Sequence, residues 1–323
     1  MGRKIFFNGE FVEEKDAKLS IYDSALMFGD MVFEMTRSFN GVQFKLEEHI
    51  DRLLTGLKIF RIDLPYSKNE IIDFCHQTVE KNKEFFNSDD EHRLMIDVSR
   101  GKLSIYDDVD VHDGVNLIIA DFPLKWTVRG MGELFSKGIN AVIPSQRAIP
   151  ASLMDPKIKN RSRLFYLMAN IETSLFAGDN NWALLLDPDG FIAEGSGDNF
   201  FIVKDGVVIS PEGRNMLRGI SREYVMNELC PELDIIAIEK NIEPYDVYTA
   251  DEAFMTGTPF CMLPVTSLGG INISKGKVGP IFSKLLSKWS TNTSVDIQQQ
   301  IVSWNKLDIK ANTKGASPYN FKK

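Results

Sequence analysis

Two rhythms of apolar positions run along this chain, and together they place most of its elements. Leu46–Phe60 repeats at three- and four-residue spacing through Ile50, Leu53, Leu54, Leu57 and Ile59-Phe60, which predicts a helix with one buried side. Ser67–Phe86 predicts another, opened by a capping box from Ser67 to Glu70. Further helices fit 160–177, 219–230 and 279–290. The first of these puts Leu164, Leu167, Met168, Ile171, Leu175 and Phe176 on one apolar face. Arg93–Arg100 instead alternates at period two, so one face of a strand carries Arg93, Met95, Asp97 and Ser99. Short apolar runs at Val115–Ala120, Ile139–Ile143, Trp182–Leu186, Asn199–Val203, Val207–Ile209 and Glu252–Met255 read as further strands. Asn8-Gly9 and Asn40-Gly41 each join two such runs (4–12, and Met31–Phe39 with Val42–Lys45) and predict hairpins.

Between the periodic segments, 20–30 reads as a loop and Gly101–Gly114 as a long surface loop. Asp121–Gly132, with Pro123, Gly130 and Gly132, is the best linker candidate. After Trp289 the chain turns polar, and partial disorder is expected there apart from a short helix around Ile297–Trp304. The domain boundaries expected are therefore 1–120, a linker at 121–132, 133–290 and a tail at 291–323.

Composition narrows the class. The 323 residues suffice for about two domains, and 43% hydrophobic with 25% charged residues describes an ordinary globular protein. A formal charge of −8 argues against nucleic acid as the main partner. No apolar run is long enough to span a membrane, and Met1-Gly2-Arg3-Lys4 does not open a signal segment. Cys75, Cys230 and Cys261 are odd in number and scattered, which suits a reducing cytoplasm. The four histidines share no ligand spacing with them, so no metal site is expected.

Three constellations carry candidate chemistry. Lys159 follows Asp155-Pro156-Lys157-Ile158, where a loop feeds a helical run, and its amine could serve as a nucleophile toward a carbonyl. Taken alone, the basic cluster Lys157, Lys159, Arg161 and Arg163 is more commonly a solvated edge. Glu194 lies beside Gly195-Ser196-Gly197, small backbone that can approach a ring-shaped ligand; a glutamate in water is the commoner fate. Gly219, Ile220 and Ser221 open a helix whose first amides make an anion cup, though an ordinary N-cap has the same pattern. Thr256-Gly257-Thr258 could add donors, and Arg52 a cation. The bland alternative for Arg52 is an ion pair with Glu48, one turn away. A lysine for an aldehyde, an acid for a ring nitrogen and a helix N-terminus for a phosphate describe a site for pyridoxal 5'-phosphate.

In this combination the chain resembles the class IV aminotransferases, the fold-type IV pyridoxal-phosphate enzymes. The resemblance covers about Ile5 to Trp289. It rests on Phe28-Gly29-Asp30, Val32-Phe33-Glu34, Glu48-His49-Ile50-Asp51-Arg52-Leu53, Lys157-Ile158-Lys159, Glu194-Gly195-Ser196-Gly197-Asp198-Asn199, Leu217-Arg218-Gly219-Ile220-Ser221-Arg222 and Tyr248–Thr258. It implies an α/β (α+β) two-domain fold, a small N-terminal α/β domain and a larger C-terminal domain on a β-barrel-like sheet, with the site between them. It implies that Lys159 forms the Schiff base, that Glu194 meets the pyridine nitrogen, and that Leu217 packs on the ring. Arg52, Gly219 with the amides of Ile220 and Ser221, and Thr258 would hold the phosphate. A homodimer of branched-chain-aminotransferase-like subunits follows from the same likeness. The family often meets the ring hydroxyl with a tyrosine shortly after the lysine; Leu164 and Phe165 stand there in this chain, with Tyr166 just beyond, so that role stays open.

The resemblance also implies a substrate set: Phe28, Phe33, Met35, Arg37, Arg93, Met95 and Pro259. Branched-chain enzymes typically carry tyrosine and arginine where Arg93 and Met95 align, and D-amino-acid enzymes an arginine and a histidine near Ile105 and Asp107. Pro259 has no amide to offer a substrate carboxylate. The expectation is a transaminase exchanging an amino group between an amine donor and a 2-oxo acid, on a restricted or uncommon substrate set. A lyase on the same cofactor is disfavoured by Met35, where aminodeoxychorismate lyases carry threonine. A non-catalytic cofactor-binding protein is disfavoured by the intact Lys159, Glu194 and Arg52.

Overall fold

The computed structural model describes residues 2–178 and 180–305. The chain packs as two compact units: Met1–Trp126 together with Ile158–Arg163, and Thr127–Lys157 with the chain from Leu164 onward. The change of unit at Trp126 falls inside the stretch 121–132.

In the first unit, five strands make an antiparallel sheet in the order Glu10–Glu13, Lys4–Phe7, Asn116–Pro123, His92–Ser99, Met31–Met35. The hairpin at Asn8-Gly9 forms as the pattern predicts, with both turn residues at positive φ. Helices Leu46–Phe60 and Lys68–Asn82 pack with one face of the sheet, and the capping box from Ser67 to Glu70 is present. Ile50, Leu53, Leu57, Ile71 and Cys75 meet Leu94, Ile96, Val98, Leu117 and Ile119 in that core. Each such side chain contributes roughly 1.5–3 kcal/mol when removed from water. Because side chains alternate along a strand, burying Leu94, Ile96 and Val98 under the helices turns Arg93, Met95 and Asp97 to the other face.

Two details differ from the pattern. Residues 20–30 are not all loop: Ser24–Phe28 is a helical turn capped by the Asp23 carboxylate on the Ala25 amide (2.7 Å) and closed by Gly29 at φ 69°. Leu26, Met27 and Phe28 are exposed, so no apolar face announced it. The strand expected over Met31–Phe39 is broken, with Met31–Met35 in the large sheet and Ser38–Phe39 in a two-stranded ribbon with Val42–Gln43.

In the second unit, Ile192–Gly195, Asn181–Leu186, Ile139–Val142, Cys261–Leu268, Glu252–Gly257 and Asn199–Lys204 follow one another in a sheet. A further pairing of Ile192–Gly195 with Asn199–Lys204 closes them into a barrel. Val207–Ser210 and Ala237–Glu239 extend the sheet beyond the closure. Cys261–Leu268 escaped the sequence pattern because Pro264 reads as a break. The helix expected at 219–230 runs from Ile220 to Glu232 through a π turn at Val225–Leu229. Pro231 accounts for that turn, since its ring crowds the carbonyl four residues back.

The helix expected at 160–177 needs correction. It spans only Leu164–Thr173, because 158–163 join the first unit. Its buried side is Tyr166, Ala169, Asn170 and Thr173, whereas Leu164 and Met168 are exposed, as are Leu175 and Phe176 beyond its end. The apolar stripe thus faces outward in the single chain. At the other end, helix Ile297–Asn305 buries Ile297, Ile301 and Trp304. The rest of the tail, where partial disorder was expected, lies outside the described residues. Among the described residues no helix is long and apolar enough to cross a membrane, and no cluster of His, Cys, Asp and Glu could hold a metal.

Candidate active site

The lysine segment is built into the first unit as an irregular edge strand. The Phe33 amide donates to the Lys159 carbonyl and the Arg161 amide to the Met31 carbonyl, both at 2.9 Å. Val32 and Asn160 form a bridge between these contacts. Ile158 enters the core under the helices, so alternation turns Lys159 the other way. Its Nζ stands 4.9 Å from the Phe33 ring centroid, and the Arg161 guanidinium covers the same ring at 3.7 Å. Arg161 is held in turn by Asp97 (Nη2 to Oδ1, 2.7 Å). Burial pushes the Asp97 carboxyl up, and Arg161 opposes that shift. Lys157 is committed elsewhere, in the second unit: its Nζ meets Asp155 at 2.8 Å and the Arg214 carbonyl at 3.3 Å.

Phe33 and Met35 share their face with Asp97 and Met95, their partners across the strands. Thr36 continues the pairing onto Leu94 (3.0 Å), so Arg37 follows on the side of Arg93. Both arginines are buried. The Arg93 guanidinium lies 3.5 Å from the Met35 sulfur, and that of Arg37 is 3.8 Å over Phe39. Phe28, at the end of its helical turn, is exposed.

The opposite face carries Glu34, fully buried, and here the structure corrects the bland reading of Arg52. The Arg52 guanidinium does not pair with Glu48, which meets Lys45 at 3.3 Å. It grips Glu34 with two bonds, Nε to Oε1 at 2.6 Å and Nη2 to Oε2 at 2.8 Å. His49 adds a third contact, Nδ1 to Glu34 Oε2 at 2.7 Å. A carboxylate can only accept, so Nδ1 carries the proton. Burial pushes the Glu34 carboxyl up, but Arg52 and His49 outweigh it and hold the group well below the usual range. Burial lowers the His49 pKa against the pull of Glu34, so the imidazole is neutral. His49 and Arg52 sit three residues apart on the inward side of Leu46–Phe60, which was the available signal: a buried imidazole N–H and a half-buried guanidinium on one face need an acceptor there.

In the second unit, Glu194 and Asn199 face each other at the pair that closes the barrel. Glu194 is 4% exposed. Its Oε1 accepts from the Tyr166 hydroxyl, and its Oε2 from the Leu217 amide at 3.1 Å and, at longer range, Asn199 Nδ2 at 3.4 Å. Asn199 also donates to the Leu217 carbonyl at 2.8 Å, which ties the loop before the helix to the barrel. Gly219 caps that helix, and a Cβ there would lie 2.1 Å from Asn199 Oδ1. Ile220 and Ser221 are buried behind it. Thr256 pairs with Asn199 across the strands, and its hydroxyl is buried without a hydrogen-bond partner among the described residues. Thr258 and Pro259 are half-buried in the turn that follows Gly257, where a Cβ would strike the Phe260 ring at 2.7 Å. Sequence reasoning had Thr256 only as part of a donor stretch, left the role of Tyr166 open and gave Asn199 none of its own, since nothing local shows that all three meet around Glu194.

Residues 31–268 match the amino-transferase class IV family. The chain belongs to that family. This class IV aminotransferase is 38% identical over 287 residues to a putative branched-chain-amino-acid aminotransferase of Methanocaldococcus jannaschii, covering 88% of this chain and 95% of that protein. It is 33% identical over 296 residues to the branched-chain-amino-acid aminotransferase of Escherichia coli (strain K12), covering 87% and 90%. A crystal structure of a T.th. branched-chain amino acid aminotransferase with pyridoxamine 5'-phosphate matches at TM-score 0.81 and 27% identity, over 91% of this chain and 95% of that one. The closed barrel and the small α/β unit are the fold-type IV architecture of this transaminase family.

Proposed function

We propose that this transaminase carries pyridoxal 5'-phosphate on Lys159 and moves an amino group between an amino acid or amine donor and a 2-oxo acid, on a restricted or uncommon substrate set. The residues present fit the cofactor. A buried carboxylate surrounded by donors suits a protonated ring nitrogen. Gly219 lets the helix start lie against Asn199, where a Cβ would be 2.1 Å from Oδ1, and the buried Thr256 hydroxyl, without a hydrogen-bond partner among the described residues, is a donor for an oxygen-rich group. The fixed place of Lys159 carries the reading: its main chain is bonded to Phe33 while Lys157 is tied to Asp155 and Arg214.

When bound, the cofactor supplies an electron-withdrawing ring. Lys159 would hold the cofactor through its amine, and that amine, when free, would move a proton at the substrate α-carbon as general base and acid. Glu194 keeps the ring nitrogen protonated. Arg52, aimed by Glu34, acts on the phosphate with the amides of Ile220 and Ser221 and with Thr258, and Leu217 packs against the ring. Phe33, Met35 and Met95 offer apolar contact to the substrate side chain, with Phe28 at the rim, while Arg37 and Arg93 attract its carboxylate. Pro259 has no amide for that carboxylate, and a lost hydrogen bond to a charged group is worth about 1.5–3 kcal/mol. Ordinary branched-chain L-amino acids are therefore modest donors.

The exposed stripe of Leu164, Met168, Leu175 and Phe176 supports a homodimer. Three buried free thiols, with that of Cys230 pushed up to about 12 by burial, support a cytoplasmic setting. Borohydride reduction and peptide mapping test the lysine: a pyridoxyl adduct on Lys157, or full turnover by Lys159→Ala, overturns the assignment. Half-reactions with L-leucine, L-glutamate, D-alanine and a chiral amine test the substrate set. High efficiency on leucine with 2-oxoglutarate would show that the departures at Arg93, Met95 and Pro259 do not matter.

A further inference from the structure

We infer that Tyr166 is a positioning residue for the cofactor's ring nitrogen, acting through Glu194. The inference rests on the assignment of Glu194 to that nitrogen. Tyr166 lies on the buried side of helix Leu164–Thr173, and its hydroxyl donates to Glu194 Oε1. Its ring packs among Ala148, Ala169, Ala183, Leu185 and Ala193, against the neighbouring Phe165 at 4.0 Å between centroids. The residue is 6% exposed, so the ring is held by the packing around it while its O–H stays able to turn toward an acceptor. The hydroxyl is therefore aimed at the carboxylate before any ligand arrives.

This placement has an electronic consequence. A carboxylate offers about four acceptor positions. Tyr166, the Leu217 amide and Asn199 are three of the donors that Glu194 meets. Each donor withdraws electron density from the carboxylate and lowers its affinity for a proton. The proton shared with the ring nitrogen then stays on the nitrogen, where it strengthens electron withdrawal by the ring. Without the Tyr166 hydroxyl, Glu194 becomes more basic and draws that proton toward itself.

The test is 15N NMR of the holoenzyme loaded with ring-15N cofactor, for the parent, Glu194→Gln, Tyr166→Phe and a protein with 3-fluorotyrosine at 166. Fluorination keeps the ring in its slot and makes the phenol a stronger donor. Tyr166→Phe should move the nitrogen resonance from the pyridinium position toward neutral pyridine, Glu194→Gln should move it further, and fluorotyrosine should move it the opposite way. The Phe variant should also lose roughly tenfold in kcat, the equivalent of one hydrogen bond to a charged group. If Glu194→Gln shifts the resonance and neither change at 166 does, Tyr166 has no such role and the Glu194 assignment stands. If Glu194→Gln leaves the resonance in place, the Glu194 assignment fails and this inference with it. If the Phe variant shifts only the pH titration of the cofactor's absorbance, the phenol acts on the ring hydroxyl and the inference is overturned. Should Tyr166→Phe not fold, the fluorotyrosine shift decides alone.

Discussion

Replacing Glu34 with glutamine should release Arg52 and destabilise the protein by about 3 kcal/mol, the low end for removing one partner of a buried ion pair. The low end applies because the Arg52 side chain keeps 15% of its surface in contact with solvent, whereas that of Glu34 keeps none. Glutamine fills the same volume but cannot satisfy three donors. With its amide nitrogen at either oxygen position it faces an Arg52 N–H, and only His49 can adapt, by exchanging its ring proton. For a chain of 323 residues the loss corresponds to a melting temperature lower by roughly 4–5 °C. The pH profile follows from the two titrating groups. Glu34 is depressed, so its stabilisation is present above about pH 4.3 and is lost as the pH falls through its native value. His49 is also depressed, as a buried neutral base; its contribution is full above about pH 6.5 and is likewise lost on acidification. In Glu34→Gln the loss below pH 4.3 should disappear. The loss beginning near 6.5 should persist, because His49 is still buried and no longer has a carboxylate to raise it. Urea melts of the cofactor-free protein from pH 7.5 down to about pH 2, with cofactor titration of the refolded variant, measure all of this. A urea midpoint and cofactor affinity at pH 7.5 equal to the parent's would refute the reasoning.

Three further outcomes are expected. Gly219→Ala should raise the dissociation constant for pyridoxal 5'-phosphate about tenfold, since the new Cβ displaces Asn199 Oδ1 and costs about one charge-assisted hydrogen bond; fluorescence titration giving an unchanged constant would contradict the phosphate cup. Asp97→Asn should free Arg161 from its ion pair and loosen 158–163, at about 1–2 kcal/mol and with faster amide exchange at Phe33 and Arg161. Unchanged exchange there would mean that the main-chain bonds suffice. Met168→Glu combined with Leu175→Glu should yield monomers by light scattering, with little loss of single-chain stability, because both side chains are already exposed; a dimer that survives both would place the interface elsewhere.

Sequence alone determined what depends on neighbours a few residues apart. Helix Leu46–Phe60, the capping box at Ser67, the hairpin at Asn8-Gly9 and the alternation of His92–Ser99 follow from helical and strand periods and from turn chemistry. The motifs were legible for the same reason, since each is contiguous. Tertiary structure decided what joins distant residues. It took 160–163 out of the expected helix and made the lysine segment part of an edge strand beside Phe33, a pairing across more than a hundred residues that no local period encodes. It chose Glu34 over Glu48 for Arg52: helical spacing offered Glu48 in water, whereas burial made the distant carboxylate a stronger partner for a partly desolvated guanidinium. It also turned Leu164–Thr173 so that Tyr166 points inward and the apolar stripe outward. A period shows that a helix has two faces, but which of them the rest of the protein needs is settled only where the polar groups of that face find their partners.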